Sequence, residues 1–203
     1  MNFPTQHEFL HQHFSLRRCI KRTLAIAFIS LSFSYLHIAF AQTLSVVSWN
    51  VESGGSDDQI IRHRIGSFQA IDVWGLSEVA SPASAGVFET GAEEGEDANF
   101  DKVVGPTGGG DRLAIIYNAV RFRLIRSEEL TNINQGNPRA TLLAELQDIS
   151  ANRNILFVVN HLARGNSELR RRQARQFNEW VRNQTLPVIA VGDYNFDWEV
   201  SGK

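Results

Sequence analysis

Four apolar, strand-type runs in this chain end in polar residues that a buried strand does not need. They read SWNVE from Ser48 to Glu52, LSEV from Leu76 to Val79, VNHLARG from Val159 to Gly165 and VGDYN from Val191 to Asn195. Strands that each deliver an Asn, Glu, His or Asp at their C-terminal end gather chemistry at one rim of a sheet, in a sheet-rich α/β fold. The surrounding pattern agrees. Apolar runs of five to eight residues, bounded by Gly, Pro, Asn and Asp, recur from Gln42 onward with two convincing helical stretches between them. Strands are expected over Thr43–Trp49, Ile71–Val79, Phe100–Val104, Arg112–Tyr117, Phe122–Glu128, Arg139–Leu146, Ile155–Asn160 and Pro187–Val191. Helices are expected over Asp57–Phe68 and Asn166–Arg182. Residues 81–99, rich in Ser, Ala, Gly and Glu, read as a loop, and the four consecutive strands after Asp111 imply antiparallel meanders.

The N-terminus reads differently. A basic cluster, Arg17, Arg18, Lys21 and Arg22, precedes the apolar run Thr23–Phe40 and the small-x-small site Ala39-Phe40-Ala41. That is the layout of a secretory signal over residues 1–41, cleaved after Ala41, with the functional domain spanning 42–203. No second long apolar segment follows to anchor the product, so a secreted or periplasmic monomer is expected. The uncleaved-anchor alternative is opposed by Ser30, Ser32, Ser34 and His37 inside the run. Cleavage would remove Cys19, the sole cysteine among 203 residues, and four of the six histidines, leaving His63 and His161. Thiol and multi-cysteine zinc chemistry are thereby excluded, and any metal must be held by oxygen and imidazole. Basic and acidic residues are nearly balanced, 20 against 22, so composition names no partner.

Each polar strand end alone reads more readily as a turn or cap. In order, W-N, an acid in the next strand, N-H-L and G-D-x-N resemble the endonuclease/exonuclease/phosphatase superfamily, over about residues 43–197. The resemblance implies an α/β four-layer sandwich, two mixed β-sheets flanked by helices as in DNase I-like proteins. It also implies a phosphoesterase site at the sheet rim. Carried over by motif, Asn50 and Glu78 are the metal pair, suited to Mg²⁺ or another hard cation such as Mn²⁺ or Ca²⁺. Asp193 is the acid that orients or activates water, and Asn195 is the amide that contacts the phosphate. His161 is the catalytic imidazole, Asp111 the acid that orients it, and Arg139 a phosphate-binding cation. Tyr194 stands where the family usually has Phe or Leu.

Other features have plainer readings. Arg164, Arg170, Arg171, Arg172, Arg175 and Arg182 could face a phosphate backbone, but Glu168/Arg172 and Arg175/Glu179 are i,i+4 pairs of an ordinary surface helix. The acids of residues 89–101 lack the D-x-D-x-D-G calcium pattern, and His63 reads as solvated. The family's closing S-D-H motif has no match, so the last strands and their Asp-His pair are expected to be missing. The expected activity is metal-dependent hydrolysis of phosphodiesters, with nucleic acid favoured because no apolar hairpin suggests a lipid interface. A non-catalytic remnant, or a phospholipid or small-molecule phosphoesterase, is the alternative.

Overall fold

The computed structural model describes residues 43–52 and 54–196; the expected signal at 1–41 and the chain after Phe196 lie outside them. Among the described residues, eight strands form two four-stranded sheets. The first contains β1 (Val46–Asn50), β2 (Val73–Val79), β3 (Phe100–Val104) and β4 (Arg112–Asn118), in the order β1-β2-β4-β3. The second contains β5 (Phe122–Leu130), β6 (Thr141–Asp148), β7 (Arg153–His161) and β8 (Val188–Asp193), in chain order. Each sheet is mixed. β1 and β2 are parallel, as are β7 and β8, while the remaining neighbours are antiparallel. Parallel pairing sends both C-terminal ends of a pair to the same rim, so Asn50 lies opposite Ser77 and His161 opposite Asp193.

Burial on both faces explains the near-continuous apolar strands. On β4, Leu113, Ile115 and Tyr117 point between the sheets, where they meet Leu142, Phe157 and Val159. Ala114 and Ile116 point outward, joining Trp74 and Leu76 of β2 beneath the helices α1 (Asp58–Gly66) and α2 (Pro82–Glu96). The second sheet buries Leu143, Leu156 and Val158 against Phe177 of α4 (Ser167–Arg182) and Ile133 of the short helix α3 (Thr131–Asn134). Three cores therefore separate four layers, as the sandwich requires. Gly75 marks a close approach between the sheets, since a Cβ there would lie 2.3 Å from Val191.

Two expectations need correction. Residues 81–99 are mostly helix, not loop: Ser81 caps α2 by accepting the Ser84 amide, Pro82 occupies its first turn, and Asp97 ends it in the left-handed conformation. Its small residues are interface residues. A Cβ on Gly91 would come within 2.6 Å of the Arg62 carbonyl, so α1 and α2 touch backbone to backbone, and Ala92 and Ala85 are buried alongside. The acids of this segment have structural partners: Glu94 pairs with Arg62, Glu89 with Lys102, and Glu96 accepts the Ile71 amide at 2.8 Å. The second correction is topological. β4 belongs to the first sheet, and the chain changes sheets before Phe122, so only β5-β6-β7 make the expected meander. Arg121 fixes that crossover through ion pairs to Asp72 at 2.6 Å and Asp148 at 3.2 Å.

Candidate active site

The two parallel strand pairs bring Asn50, Glu78, His161 and Asp193 to one rim. Asn50 Nδ2 donates to Glu78 Oε1 at 2.8 Å and to Asp193 Oδ2 at 3.1 Å, joining the two sheets. His161 Nε2 lies 3.8 Å from Glu78 Oε1 and 3.7 Å from Asp193 Oδ2. The imidazole is almost fully buried, with 2% of its side chain exposed, against 26% for Glu78 and 32% for Asp193. His161 thus lies behind two carboxylates that face an open cleft of about 690 Å³.

Local backbone explains how the carboxylates reach that cleft. The pairing of β2 with β4 slips between Leu76 and Val79, a bulge that carries Glu78 at φ 60°. Glu52 and Asn195, which also line the cleft, have φ values of 54° and 50°. A left-handed non-glycine residue costs roughly 1–2 kcal/mol, and three of them lie around this one cleft. The Asp193 turn is held tightly: Asn195 N donates to Asp193 Oδ1, and Asn195 Nδ2 to the Leu162 carbonyl, each at 2.9 Å. Gly192 permits this junction, having φ 123° and standing where a Cβ would lie 1.9 Å from the Asn160 carbonyl oxygen.

Asp111 and Arg139 occupy the far side of His161. Asp111 Oδ1 is 3.9 Å from His161 Nδ1, beyond hydrogen-bond range, so the expected orienting bond is not formed. Asp111 Oδ2 instead pairs with the guanidinium of Arg139, whose side chain is 11% exposed and does not line the cleft. Burial raises the Asp111 pKa, outweighing Arg139 and His161. Burial and then Arg139 lower that of His161, despite Asp193, Asp111 and Glu78. His63 is exposed on α1, and Glu168 pairs with Arg171 at 3.3 Å, where Arg172 was expected. Sequence reasoning also missed a buried chain of hydroxyl and amide groups. Thr141 Oγ1 donates to Asn160 Oδ1 at 2.7 Å, and Asn160 Nδ2 donates to the Tyr194 hydroxyl at 3.3 Å, which gives Asn160 an acceptor that Phe or Leu at position 194 could not supply.

Residues 47–201 match the endonuclease/exonuclease/phosphatase family. The chain belongs to this family. Solved structures sharing the endonuclease/exonuclease/phosphatase fold include humanized D. rerio TDP2, with TM-score 0.60 and 22% identity over 75% of this chain and 62% of that one. D. rerio TDP2 complexed with single-strand DNA product aligns with the same score and identity, over 75% and 60%. Bacteroides thetaiotaomicron mannosyl-6-phosphatase Bt3783 aligns at 0.58 and 18%, over 75% and 66%. The chain therefore spans less than two thirds of the length of these three. No curated protein sequence matches it. Family members are phosphoester hydrolases that generally use a divalent metal. Glu78, Asp111 and His161 offer ligand atoms all within 4.8 Å of one another.

Proposed function

We propose that the chain is a secreted, divalent-metal-dependent phosphoesterase domain acting on phosphodiester bonds of nucleic acid. The observation that carries this reading is the joining of Glu78 and Asp193, from different sheets, through Asn50 at the mouth of one cleft.

A hard cation suits the donors present, because they are carboxylates and one imidazole, and Asp111 Oδ1 and His161 Nδ1 are buried without a hydrogen-bond partner. Glu78 would hold it, with Asn50 beside it on the cleft side. Bound there, Mg²⁺ supplies positive charge against the phosphate oxygens. Asp193 accepts a proton from the attacking water through Oδ2, held in place by Asn50. His161, with Nε2 in reach of Asp193, receives the proton that Asp193 takes from water and delivers it to the leaving oxygen, so none is left over. Asn195 keeps the turn closed with one amide hydrogen and offers the other to a phosphate oxygen. Arg139 acts through Asp111, holding it beside the imidazole.

Export rests on the basic cluster and apolar run of residues 1–41. Among the described residues no helix is long and apolar enough to cross a membrane. N-terminal sequencing of the exported product should begin at Gln42.

The deciding experiment is hydrolysis of single-stranded DNA, duplex DNA, RNA, sphingomyelin vesicles and mannose 6-phosphate, with Mg²⁺ and with EDTA. The nucleic-acid reading expects EDTA-sensitive cleavage of a polynucleotide. Turnover of mannose 6-phosphate alone would replace it with a small-molecule phosphatase, and no turnover of any substrate would favour the non-catalytic remnant.

A further inference from the structure

We infer that Arg164 binds a second phosphate of the substrate, next to the one that is cleaved; this rests on the phosphoesterase reading of the cleft. Among the described residues lining the cleft, Arg164 is the one cation, set against Glu52, Glu78 and Asp193. A substrate with two phosphates brings two negative charges towards those carboxylates. A cation at Glu78 compensates the scissile group, and Arg164 is what remains for the other.

The backbone leading to Arg164 is fixed at every residue from His161. The His161 carbonyl accepts from Asn137 Nδ2 at 2.9 Å, and the Leu162 amide donates to the Asp193 carbonyl at 3.0 Å. The Leu162 carbonyl is held by Asn195, and the Ala163 amide donates to the buried Gln173 side chain at 2.9 Å. Arg170 donates to the carbonyls of Ala163 at 3.0 Å and Arg164 at 2.9 Å, while its guanidinium lies 5.4 Å over the Phe196 ring. Arg170 is thereby committed to the loop. The exposed Arg164 side chain makes no intramolecular hydrogen bond or ion pair among the described residues, although the loop that carries it is clamped by four side chains, those of Asn137, Asn195, Gln173 and Arg170. A rigid backbone presenting a free guanidinium over an acidic cleft is an arrangement for an anion, because an unpaired Arg on a mobile loop would lose more side-chain and backbone entropy on binding.

The test compares two esters that differ by one phosphate, thymidine 5′-(p-nitrophenyl phosphate) and the same compound carrying a 3′-phosphate. Arg164→Ala should lose at least about tenfold more kcat/KM on the second ester than on the first, mainly through KM, as expected for one charge-assisted contact. Arg164→Lys should recover part of the loss. Equal loss on both esters, or none on either, overturns the assignment. A second measurement needs no turnover: anisotropy of a labelled single-stranded oligodeoxynucleotide in EDTA. There Arg164→Ala should lower the slope of log K against log salt by about 0.7, the share of one single-strand phosphate contact. If the wild type cleaves neither these esters nor any substrate of the hydrolysis panel, the phosphoesterase reading fails, and the oligonucleotide slope alone decides Arg164: an unchanged slope overturns it. Arg171→Ala, on the exposed helix face beside Glu168, is the charge control and should leave the ester comparison unaltered.

Discussion

Nδ1 of His161 and Oδ1 of Asp111 face each other across 3.9 Å, and neither atom has a hydrogen-bond partner among the described residues. Burial moves both groups away from charge, lowering the imidazole pKa and raising that of the carboxyl, while Arg139 holds the other oxygen of Asp111. The pair is therefore poised by its surroundings rather than by a mutual bond, and its two members should differ in importance.

His161→Ala should lower kcat on a phosphodiester by at least about 10²-fold, as should Asp193→Asn, the usual scale for losing a proton-handling or charge-stabilising group. Asp111→Asn should cost less, because it alters what surrounds the imidazole and not the reacting group. Steady-state kinetics on one substrate give the order. A loss for Asp111→Asn equal to that for His161→Ala would give Asp111 a direct role.

Glu78→Gln should abolish Mg²⁺-dependent hydrolysis while leaving the urea midpoint nearly unchanged, since the side chain sits at a rim and not in a core. Differential scanning calorimetry provides a readout independent of turnover. At 100 times its dissociation constant, Mg²⁺ should stabilise the wild type by about 2.7 kcal/mol and the variant hardly at all. A variant that keeps the full Mg²⁺ shift would move the metal away from Glu78.

Gly192→Ala should destabilise the domain by about 3 kcal/mol or more, combining left-handed strain with a Cβ forced against the Asn160 backbone. Gly109→Ala is the matched comparison, having φ 62° but nothing within 4 Å, and should cost only about 1 kcal/mol. Urea denaturation of the two variants separates backbone strain from close approach. Equal losses would show that the β7–β8 junction relaxes around a methyl group.

The sheet crossover should confer acid sensitivity. Burial works to raise the Asp148 pKa, but the Ser150 hydroxyl, the Ala151 amide and Arg121 outweigh it and hold the carboxyl below its ordinary value. A depressed folded-state pKa contributes stability that is present above the unfolded value, about 3.9, and is lost as the pH falls through the folded value. The wild-type urea midpoint should thus fall more steeply below about pH 4 than that of Asp148→Asn. Parallel pH profiles would place the acid-labile contact elsewhere.

The sequence alone indicated the strands, helices α1 and α4 and the rim residues Asn50, Glu78, His161, Asp193 and Asn195, and the sandwich followed from the family that those motifs resemble. Those signals are local: a strand's apolar run and the polar group that ends it are contiguous, and parallel pairing carries the ends to one place without further instruction. Helix α2 was hidden because its Gly and Ala residues serve contact with α1, a choice set by the partner helix and not by local propensity. The ion pair of Asp111 with Arg139, the Thr141–Asn160–Tyr194 chain and the clamp on Arg164 join residues distant in sequence, so no spacing rule could announce them. The left-handed turn at Glu78 is likewise a product of the bulge between β2 and β4. Which polar groups stand at the rim is written in the chain, whereas which of them are paired, buried or left facing the cleft depends on two sheets packing closely enough at Gly75 and Gly192 for their ends to meet.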